Sequence, residues 1–152
     1  MVDNPDSLRD FLESMKLWHR FIEFNEPVKT VEQAKKKVPI EKIAKSIVLV
    51  DYDTAALLAI LPAKNRVRFA MINKALNVKG VRLATPEETL KYSGYAAGGV
   101  PPFNKIQRVL LDPLVLENET SIVGGGNVNR LVEVRTQDIV STLQPIIVNI
   151  VE

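Results

Sequence analysis

The fold is decided by the segment KSIVLVDYDTAALLAIL, which spans residues 45–61. Two mainly apolar runs, Lys45–Val50 and Ala55–Leu61, flank the polar turn Asp51–Asp53. Short apolar runs without strict alternation are typical of strands covered on both faces, and a tight polar turn joins two such strands into a hairpin. The sequence therefore predicts a central hairpin that other elements bury from both sides.

Further helices and strands are expected on either side of this hairpin in the chain. Helix starts are marked by Asn4-Pro5, by Thr30 with Gln33, by Thr85-Pro86 and by Thr136, because these residues cap or open helices. Helices are predicted at 5–16, from 30 to before 39, and at 40–44, 69–76, 86–93 and 136–143, and strands at 17–24, 81–84, 109–112, 121–123, 131–134 and 146–150.

This mixture of hairpins and helical crossovers predicts an α+β (mixed α/β) fold. We expect a strongly twisted, barrel-like mixed β-sheet surrounded by helices. At this length, residues 1–152 are expected to form a single domain.

The composition excludes several kinds of chemistry. The chain has no cysteine and one histidine, His19, so disulfides, thiolate metal sites, a cysteine nucleophile and multi-histidine metal sites are excluded. No Asp/Glu cluster has metal-ligand spacing, and we expect neither a metal nor a cofactor. The N-terminus lacks the pattern of a signal peptide, and no apolar run approaches the roughly 20 residues of a membrane span. A soluble, cytoplasmic protein without membrane contact is expected.

Basic residues are concentrated in the middle of the chain, although the net charge is only +2, from 20 basic and 18 acidic residues. The members are Lys35, Lys36, Lys37, Lys42, Lys45, Lys64, Arg66, Arg68, Lys74, Lys79 and Arg82. Such a region can face a phosphate backbone, but an ordinary solvated surface accounts for the same pattern. Both interpretations stay open on charge alone.

A glycine- and proline-rich segment, GYAAGGVPPF at residues 94–103, follows a predicted helix. Glycine permits backbone angles closed to other residues and lets a ligand approach the main chain, and proline stiffens the chain. A rigid loop with bare backbone N–H groups would hold a small polar ligand, and the alternative is a turn that only connects two elements. Gly98-Gly99 does not fit the dinucleotide fingerprint, because that needs a preceding strand and a following helix.

Lys45 and a second glycine run are candidates for ligand binding. Lys45 opens a strand, where its ammonium group can bind a phosphate or a carbonyl oxygen, and a solvated strand-end lysine is the alternative. The run Gly124-Gly125-Gly126, with Asn127 and Asn129 nearby, offers either an anion-binding nest or a flexible hairpin.

No nucleophile with a partner base is visible. A single histidine such as His19 is more often structural than catalytic. Ser46 and Ser121 have no evident base, so hydrolysis would need a water molecule activated by other means.

Several segments in their order along the chain resemble one known family. They are AKSIVL at 44–49, RLATPEE at 82–88, SGYAAGGVPPF at 93–103 and IVGGG at 122–126. These segments are similar to the YbaK/EbsC-type family, which is related to the editing domain inserted in bacterial prolyl-tRNA synthetases. The resemblance covers nearly the whole chain, and the loop is its most specific part.

The resemblance implies a free-standing aminoacyl-tRNA deacylase. Such proteins hydrolyse the ester between a wrong small amino acid and a tRNA, commonly tRNA(Pro). Water is the nucleophile, and backbone N–H groups with a hydroxyl of the terminal ribose organise the reaction without a side-chain base. The expected partners are mischarged tRNA and a prolyl-tRNA synthetase. A non-catalytic module that binds tRNA ends or a nucleotide is the alternative, and a small-molecule esterase ranks behind both because no nucleophile is visible.

The resemblance also assigns residues to the site. Catalytic roles fall on Lys45, Gly98, Gly99 and Pro102; substrate-binding roles fall on Phe24, Ser46, Ile47, Gly124, Gly125 and Gly126. The basic residues placed around the tRNA are Lys35, Lys36, Lys37, Lys64, Arg66 and Arg68. Two departures from the family pattern, Gly124 for serine and Phe24 for tyrosine, imply a less polar pocket that suits alanine or cysteine.

Overall fold

The computed structural model describes residues 6–28 and 30–152, which form helices and strands in mixed order. The helices are α1 (Ser7–Ser14), α2 (Val31–Ala34), α3 (Phe69–Leu76), α4 (Pro86–Ser93) and α5 (Thr136–Leu143), with 3₁₀ turns at Ile40–Lys42 and Pro113–Glu117. The strands are β1 (His19–Glu23), β2 (Ala44–Val50), β3 (Ala56–Pro62), β4 (Arg82–Leu83), β5 (Val109–Leu111), β6 (Thr120–Gly124), β7 (Arg130–Arg135) and β8 (Ile146–Ile147). Among these helices, none has the length and apolar character needed to cross a bilayer.

The predicted central hairpin is confirmed. β2 and β3 pair antiparallel along their whole length. The side chains of β3 alternate between two apolar clusters, with Leu58 and Ile60 in one and Leu57, Ala59 and Leu61 in the other. All five are fully buried. Burial on both faces of the hairpin explains why this segment is apolar at successive positions.

The mixed α+β class is confirmed, but the described strands divide between two sheets and do not close a barrel. β1, β7 and β6 form an antiparallel three-stranded sheet, and β4-β2-β3-β5-β8 is the order of a five-stranded mixed sheet. A parallel bridge between Ile43 and Ile122 joins the two sheets just before β2. The division arises because β1, near the start of the chain, pairs with β7 near its end.

Two of the predicted helix starts are confirmed as capping boxes. The side chains of Thr30 and Thr85 accept hydrogen bonds from the backbone of Gln33 and Glu88, whose own side chains accept from the capping residues in return. The prediction that Thr136 caps the last helix is wrong. Arg135 precedes that helix, and the Thr136 hydroxyl lies buried against Ser121 Oγ at 2.7 Å.

Several predicted boundaries shift by a few residues. The helical turn predicted at 40–44 ends at 42 because Ala44 already belongs to β2, and the last strand stops at Ile147. The first strand begins at His19. The predicted cap Asn4-Pro5 lies outside the described residues.

Candidate active site

A cavity of about 270 Å³ opens between α2, the start of β2, the glycine-proline loop and the end of β6. Its lining residues are Val28, Thr30, Val31, Ala34, Ile43, Ala44, Lys45, Ser46, Ile47, Ala63, Gly98, Val100, Val123, Gly124 and Leu131. We call it the site cavity. It brings together five of the residues predicted for the site, Lys45, Ser46, Ile47, Gly98 and Gly124, which come from three separate parts of the chain.

Lys45 is the cation of the site cavity. It lies in β2, opposite Leu61 of β3, and is half-buried. Burial lowers the pKa of its ammonium group from the ordinary value, and the positive charge of Arg66 lowers it further. A cation withdrawn from water interacts more strongly with a nearby anion than a solvated one, because less solvent screens the charge.

Ser46 supplies a hydroxyl group without a partner inside the protein. Its Oγ is buried and makes no hydrogen bond among the described residues. Buried polar atoms are nearly always hydrogen-bonded, so the unpaired Ser46 Oγ, in a residue that lines the cavity, is an exception.

The two loop glycines lie in different environments. Gly98 is exposed, has a φ of 91° and lines the site cavity. Gly99 is buried outside the cavity lining, and a Cβ atom there would lie 2.8 Å from the backbone of Asn127. Its carbonyl oxygen accepts a hydrogen bond of 2.9 Å from the N–H of Gly126. Gly99 therefore joins the loop to the β6–β7 turn and does not face the cavity.

Two residues of the loop bring backbone N–H groups to the lining of the site cavity. Within residues 6–28 and 30–152, the N–H groups of Gly98 and Val100 take no part in the backbone hydrogen bonds of the loop. Both residues line the site cavity. Unpaired N–H groups beside a lysine are suited to bind a negatively charged oxygen.

Pro102 belongs to the glycine-proline loop but lies outside the cavity lining. It is buried, and the side-chain amide of Asn104 donates to the carbonyl oxygen of Pro101 at 2.7 Å, which closes the turn after the prolines. Phe103 follows and contacts Phe11 in the main core, with 5.3 Å between ring centroids. Pro102 thus shapes the loop from behind, and the structure does not place it at the cavity.

Close approach of neighbouring backbone segments requires glycine at 124 and 125. A Cβ atom on Gly124 would lie 2.1 Å from the carbonyl oxygen of Val100, and one on Gly125 would lie 2.5 Å from that of Arg130. Gly126 has a φ of 94°. The N–H groups of Gly125 and Gly126 already donate within the protein, to Arg130 and Gly99. The run is therefore neither an open anion-binding nest nor a flexible hairpin, and only Gly124 touches the cavity.

The sequence analysis missed Arg130, which is only 4% exposed. Its Nε donates to the carbonyl oxygen of Gly125 at 2.8 Å, and its guanidinium group lies 4.1 Å from the centre of the Phe21 ring. No sequence signal distinguishes it, because arginine is usually a surface residue.

Phe24 does not line the site cavity. It lies in an adjacent cavity of about 470 Å³ together with Lys36 and Lys37, and the Lys37 Nζ is 4.9 Å from the centre of its ring. Val28 lines both cavities. Phe24, which was assigned a substrate-binding role, thus lies in the cavity next to the one that Ile47 lines.

The predicted tRNA-facing residues Lys35, Lys36, Lys37, Lys64, Arg66 and Arg68 are all exposed. Lys35 forms an ion pair of 2.7 Å with Glu32. The segment that follows β3 carries Lys64, Arg66 and Arg68, and it lies at the end of the hairpin where Lys45 is found. None of the six lines the site cavity, although Lys36 and Lys37 line the adjacent cavity and Arg66 acts electrostatically on Lys45.

Among the described residues, the lining of the site cavity includes neither a carboxylate nor an imidazole. His19 contacts the carbonyl oxygen of Leu17 through Nδ1 at 2.8 Å and is not part of the lining. Among the described residues, no three His, Asp or Glu side chains are grouped to hold a metal ion. The arrangement suits chemistry in which water attacks a carbonyl group whose developing charge is stabilised.

Solved structures share this fold over its full extent. A hypothetical protein, APE2540, matches with a TM-score of 0.85 at 23% identity, covering 95% of this chain and 99% of the other. A protein proposed as a trans-editing enzyme for prolyl-tRNA synthetase matches with a TM-score of 0.84 at 22% identity, covering 100% of this chain and 99% of the other. At these identities the likeness establishes the fold.

The family described as the aminoacyl-tRNA editing domain matches residues 25–142, a span that contains every residue of the site cavity. The fold and the site thus define a hydrolase that acts on the ester bond of mischarged aminoacyl-tRNA in translation quality control. The chain belongs to the aminoacyl-tRNA editing domain family, and the predicted family and enzyme class are confirmed.

Proposed function

We propose that the chain, as one domain over residues 1–152, is a trans-acting cytoplasmic deacylase that removes alanine or cysteine from mischarged tRNA, chiefly tRNA(Pro). The observation that carries this proposal is the size and lining of the site cavity. At about 270 Å³ it has room for a small aminoacyl group, and apolar side chains from several elements surround Lys45 and Ser46.

In this proposal the ester carbonyl lies near Lys45 and the free N–H groups of Gly98 and Val100. Water attacks the carbonyl carbon, and the charge that develops on the carbonyl oxygen is stabilised by these donors. The bond from the carbonyl carbon to the ribose oxygen then breaks. The ribose oxygen takes a proton, relayed from the attacking water by solvent or the neighbouring ribose hydroxyl, and free amino acid and tRNA are released.

Selectivity for a small amino acid would follow from steric exclusion. Val31, Ala34 and Leu131 are among the apolar residues that line the cavity, and a bulky side chain would clash with them. Apolar pockets separate near-isosteres by only about 1–3 kcal/mol, so alanine and cysteine would both be accepted. The Ser46 hydroxyl is placed to bind a polar atom of the substrate, such as its α-amino group.

The choice of tRNA(Pro), and of a prolyl-tRNA synthetase as the companion enzyme, has two supports. One is the resemblance of the 93–103 loop to synthetase-linked editing domains. The other is the similar structure proposed as a trans-editing enzyme for prolyl-tRNA synthetase.

The test is a panel of aminoacylated tRNAs incubated with the purified protein, with release of free amino acid as the readout. Ala-tRNA(Pro) and Cys-tRNA(Pro) should be hydrolysed, and Pro-tRNA(Pro) and Phe-tRNA(Phe) should persist. Preferential hydrolysis of the aromatic ester would overturn the pocket assignment. Binding of all tRNAs without turnover would favour the alternative of a non-catalytic tRNA-end binding module.

A further inference from the structure

A groove of about 210 Å³ lies between the three-stranded sheet and the segment 37–42. Three cationic side chains line it, Arg20 from β1, Lys37, and Lys42 from the 3₁₀ turn before β2. We call this feature the basic groove. Arg20 lies outside the basic region noted in the sequence, and Lys42 belongs to that region but not to the residues placed around the tRNA.

One carboxylate, Glu133 of β7, lies at the base of the basic groove. Arg20 donates to Glu133 Oε1 from Nη2 at 2.8 Å, and the Lys42 Nζ lies 3.5 Å from Glu133 Oε2. The Thr120 hydroxyl donates to the same Oε2 at 2.6 Å. Glu133 is 7% exposed, whereas Arg20 and Lys42 keep 63% and 44% of their side chains exposed. The carboxylate thus holds the two cations from below and leaves their outer surfaces open.

The basic groove and the site cavity lie on either side of a third cavity. Val28 lines both the site cavity and the adjacent cavity that holds Phe24. Lys37 lines both that adjacent cavity and the basic groove. The three cavities are therefore neighbours, and the two farther from Lys45 are lined by the cations Lys36, Lys37, Lys42 and Arg20.

We infer that the basic groove binds phosphates of the acceptor strand of the tRNA whose 3′ end occupies the site cavity, an inference that rests on the proposed function. An aminoacyl ester in the site cavity is attached to a chain that carries one negative charge per nucleotide, and that chain must leave along the protein surface. The two cavities next to the site cavity carry four cationic side chains, and each phosphate contact adds affinity through release of counterions.

Glu133 provides the decisive test, because its removal has opposite consequences in the two interpretations. Glu133→Gln keeps the shape of the side chain and removes the negative charge below the groove. If phosphates bind there, affinity for an acceptor-stem RNA hairpin should rise about threefold to tenfold at low salt, since the groove becomes one unit more positive and no carboxylate repels the phosphate. If the cluster only stabilises the fold, affinity should stay the same or fall, and this result would overturn the inference.

The complementary variant is Arg20→Gln with Lys42→Gln. It should weaken hairpin binding and lower the slope of log K against log salt by about 1.4–1.8, the contribution of two phosphate contacts. Controls remove the same charges elsewhere: Lys74→Gln with Lys79→Gln at exposed positions of α3 and the turn after it, and Asp53→Asn at an exposed position of the β2–β3 turn. Equal effects in the control and groove variants would show a general effect of charge and would overturn the inference that the basic groove binds phosphates.

Binding is measured by fluorescence anisotropy with uncharged hairpin, after circular dichroism has shown that each variant is folded. Release of amino acid from Ala-tRNA(Pro) by the wild-type protein is measured on the same preparation. Absence of release would overturn the proposed function, while the binding series would still decide whether the basic groove holds the RNA backbone.

Discussion

Arg130 Nε donates a hydrogen bond of 2.8 Å to the carbonyl oxygen of Gly125. The next residue, Gly126, donates its N–H to Gly99 at 2.9 Å, and Gly99 adjoins both Gly98 and Val100 in the cavity wall. Arg130 is buried and does not line the cavity. It is linked through the backbone of Gly125, Gly126 and Gly99 to Gly98 and Val100, which do line it. Arg130 acts as a positioning residue for the loop.

Replacement of this arginine tests the linkage. Arg130→Met should destabilise the protein by about 1–3 kcal/mol, because the buried Gly125 carbonyl loses its side-chain donor. It should also lower kcat of deacylation by about tenfold while KM changes little, since the loop donors lose their position. Thermal unfolding and steady-state kinetics at a temperature where the variant is folded measure the two effects. Arg135→Met, an exposed arginine in the same strand, is the control, and equal kinetics in the two variants would contradict the linkage.

Lys45 is expected to carry a large part of the rate. Lys45→Ala should lower deacylation by about a hundredfold or more, the effect of losing a well-placed electrostatic group. Single-turnover release of amino acid measures this loss separately from tRNA binding. Lys91→Ala, which removes an exposed lysine of α4, should retain most of the rate. Near-normal turnover in Lys45→Ala would remove this residue from the mechanism.

Lys45 is also expected to destabilise the folded protein. Burial and Arg66 lower the pKa of Lys45 below its ordinary 10.5 in the folded state, so the unfolded chain holds this proton more tightly. Lys45→Met should therefore raise the free energy of unfolding at neutral pH. The advantage should shrink as pH rises through the lowered pKa toward 10.5, where the wild-type lysine becomes neutral in both states. Urea unfolding at pH 7 and pH 10 measures the difference, and an advantage that grows with pH would contradict this assignment.

Gly124→Ser restores the residue that the related family carries and should be poorly tolerated here. The new Cβ atom would lie 2.1 Å from the carbonyl oxygen of Val100, so the loop or β6 must move. We expect a loss of about 1–3 kcal/mol in the free energy of unfolding, as for other overpacked sites, together with reduced deacylation. Ala97→Ser, at an exposed position of the same loop, is the control. Unchanged stability in Gly124→Ser would show that the loop yields easily at this contact.

The lysine run beside α2 is expected to contact tRNA phosphates. Replacing Lys35, Lys36 and Lys37 together with glutamine should raise KM for tRNA and flatten its salt dependence, by up to about 2.7 in the slope of log K against log salt. Kinetics from low to moderate salt measure the slope, with Lys74→Gln, Lys79→Gln as the reference for a general loss of charge. An unchanged slope would mean that this run is a solvated surface.

Local patterns were sufficient to predict the elements and the family. The 45–61 hairpin follows from two apolar runs about a polar turn, and the capping boxes at Thr30 and Thr85 follow from the spacing of a hydroxyl and an acid or amide. The 93–103 loop carries enough specific residues to indicate the editing family. Each of these signals lies within a short stretch of chain, where steric limits and nearby hydrogen bonds decide the conformation.

Contacts between distant segments were decided only by the tertiary structure. The sequence by itself placed Gly99 and Gly124 in glycine-rich segments that are typical of ligand-binding loops. The tertiary structure shows why they must be glycine: a Cβ atom would lie 2.8 Å from the backbone of Asn127 or 2.1 Å from that of Val100, where separate segments meet. The burial of Arg130, the separation of Phe24 from the site cavity and the pairing of β1 with β7 have the same origin. Such contacts depend on how the surfaces of distant segments fit together. The sequence of one segment does not show which other segment will pack against it.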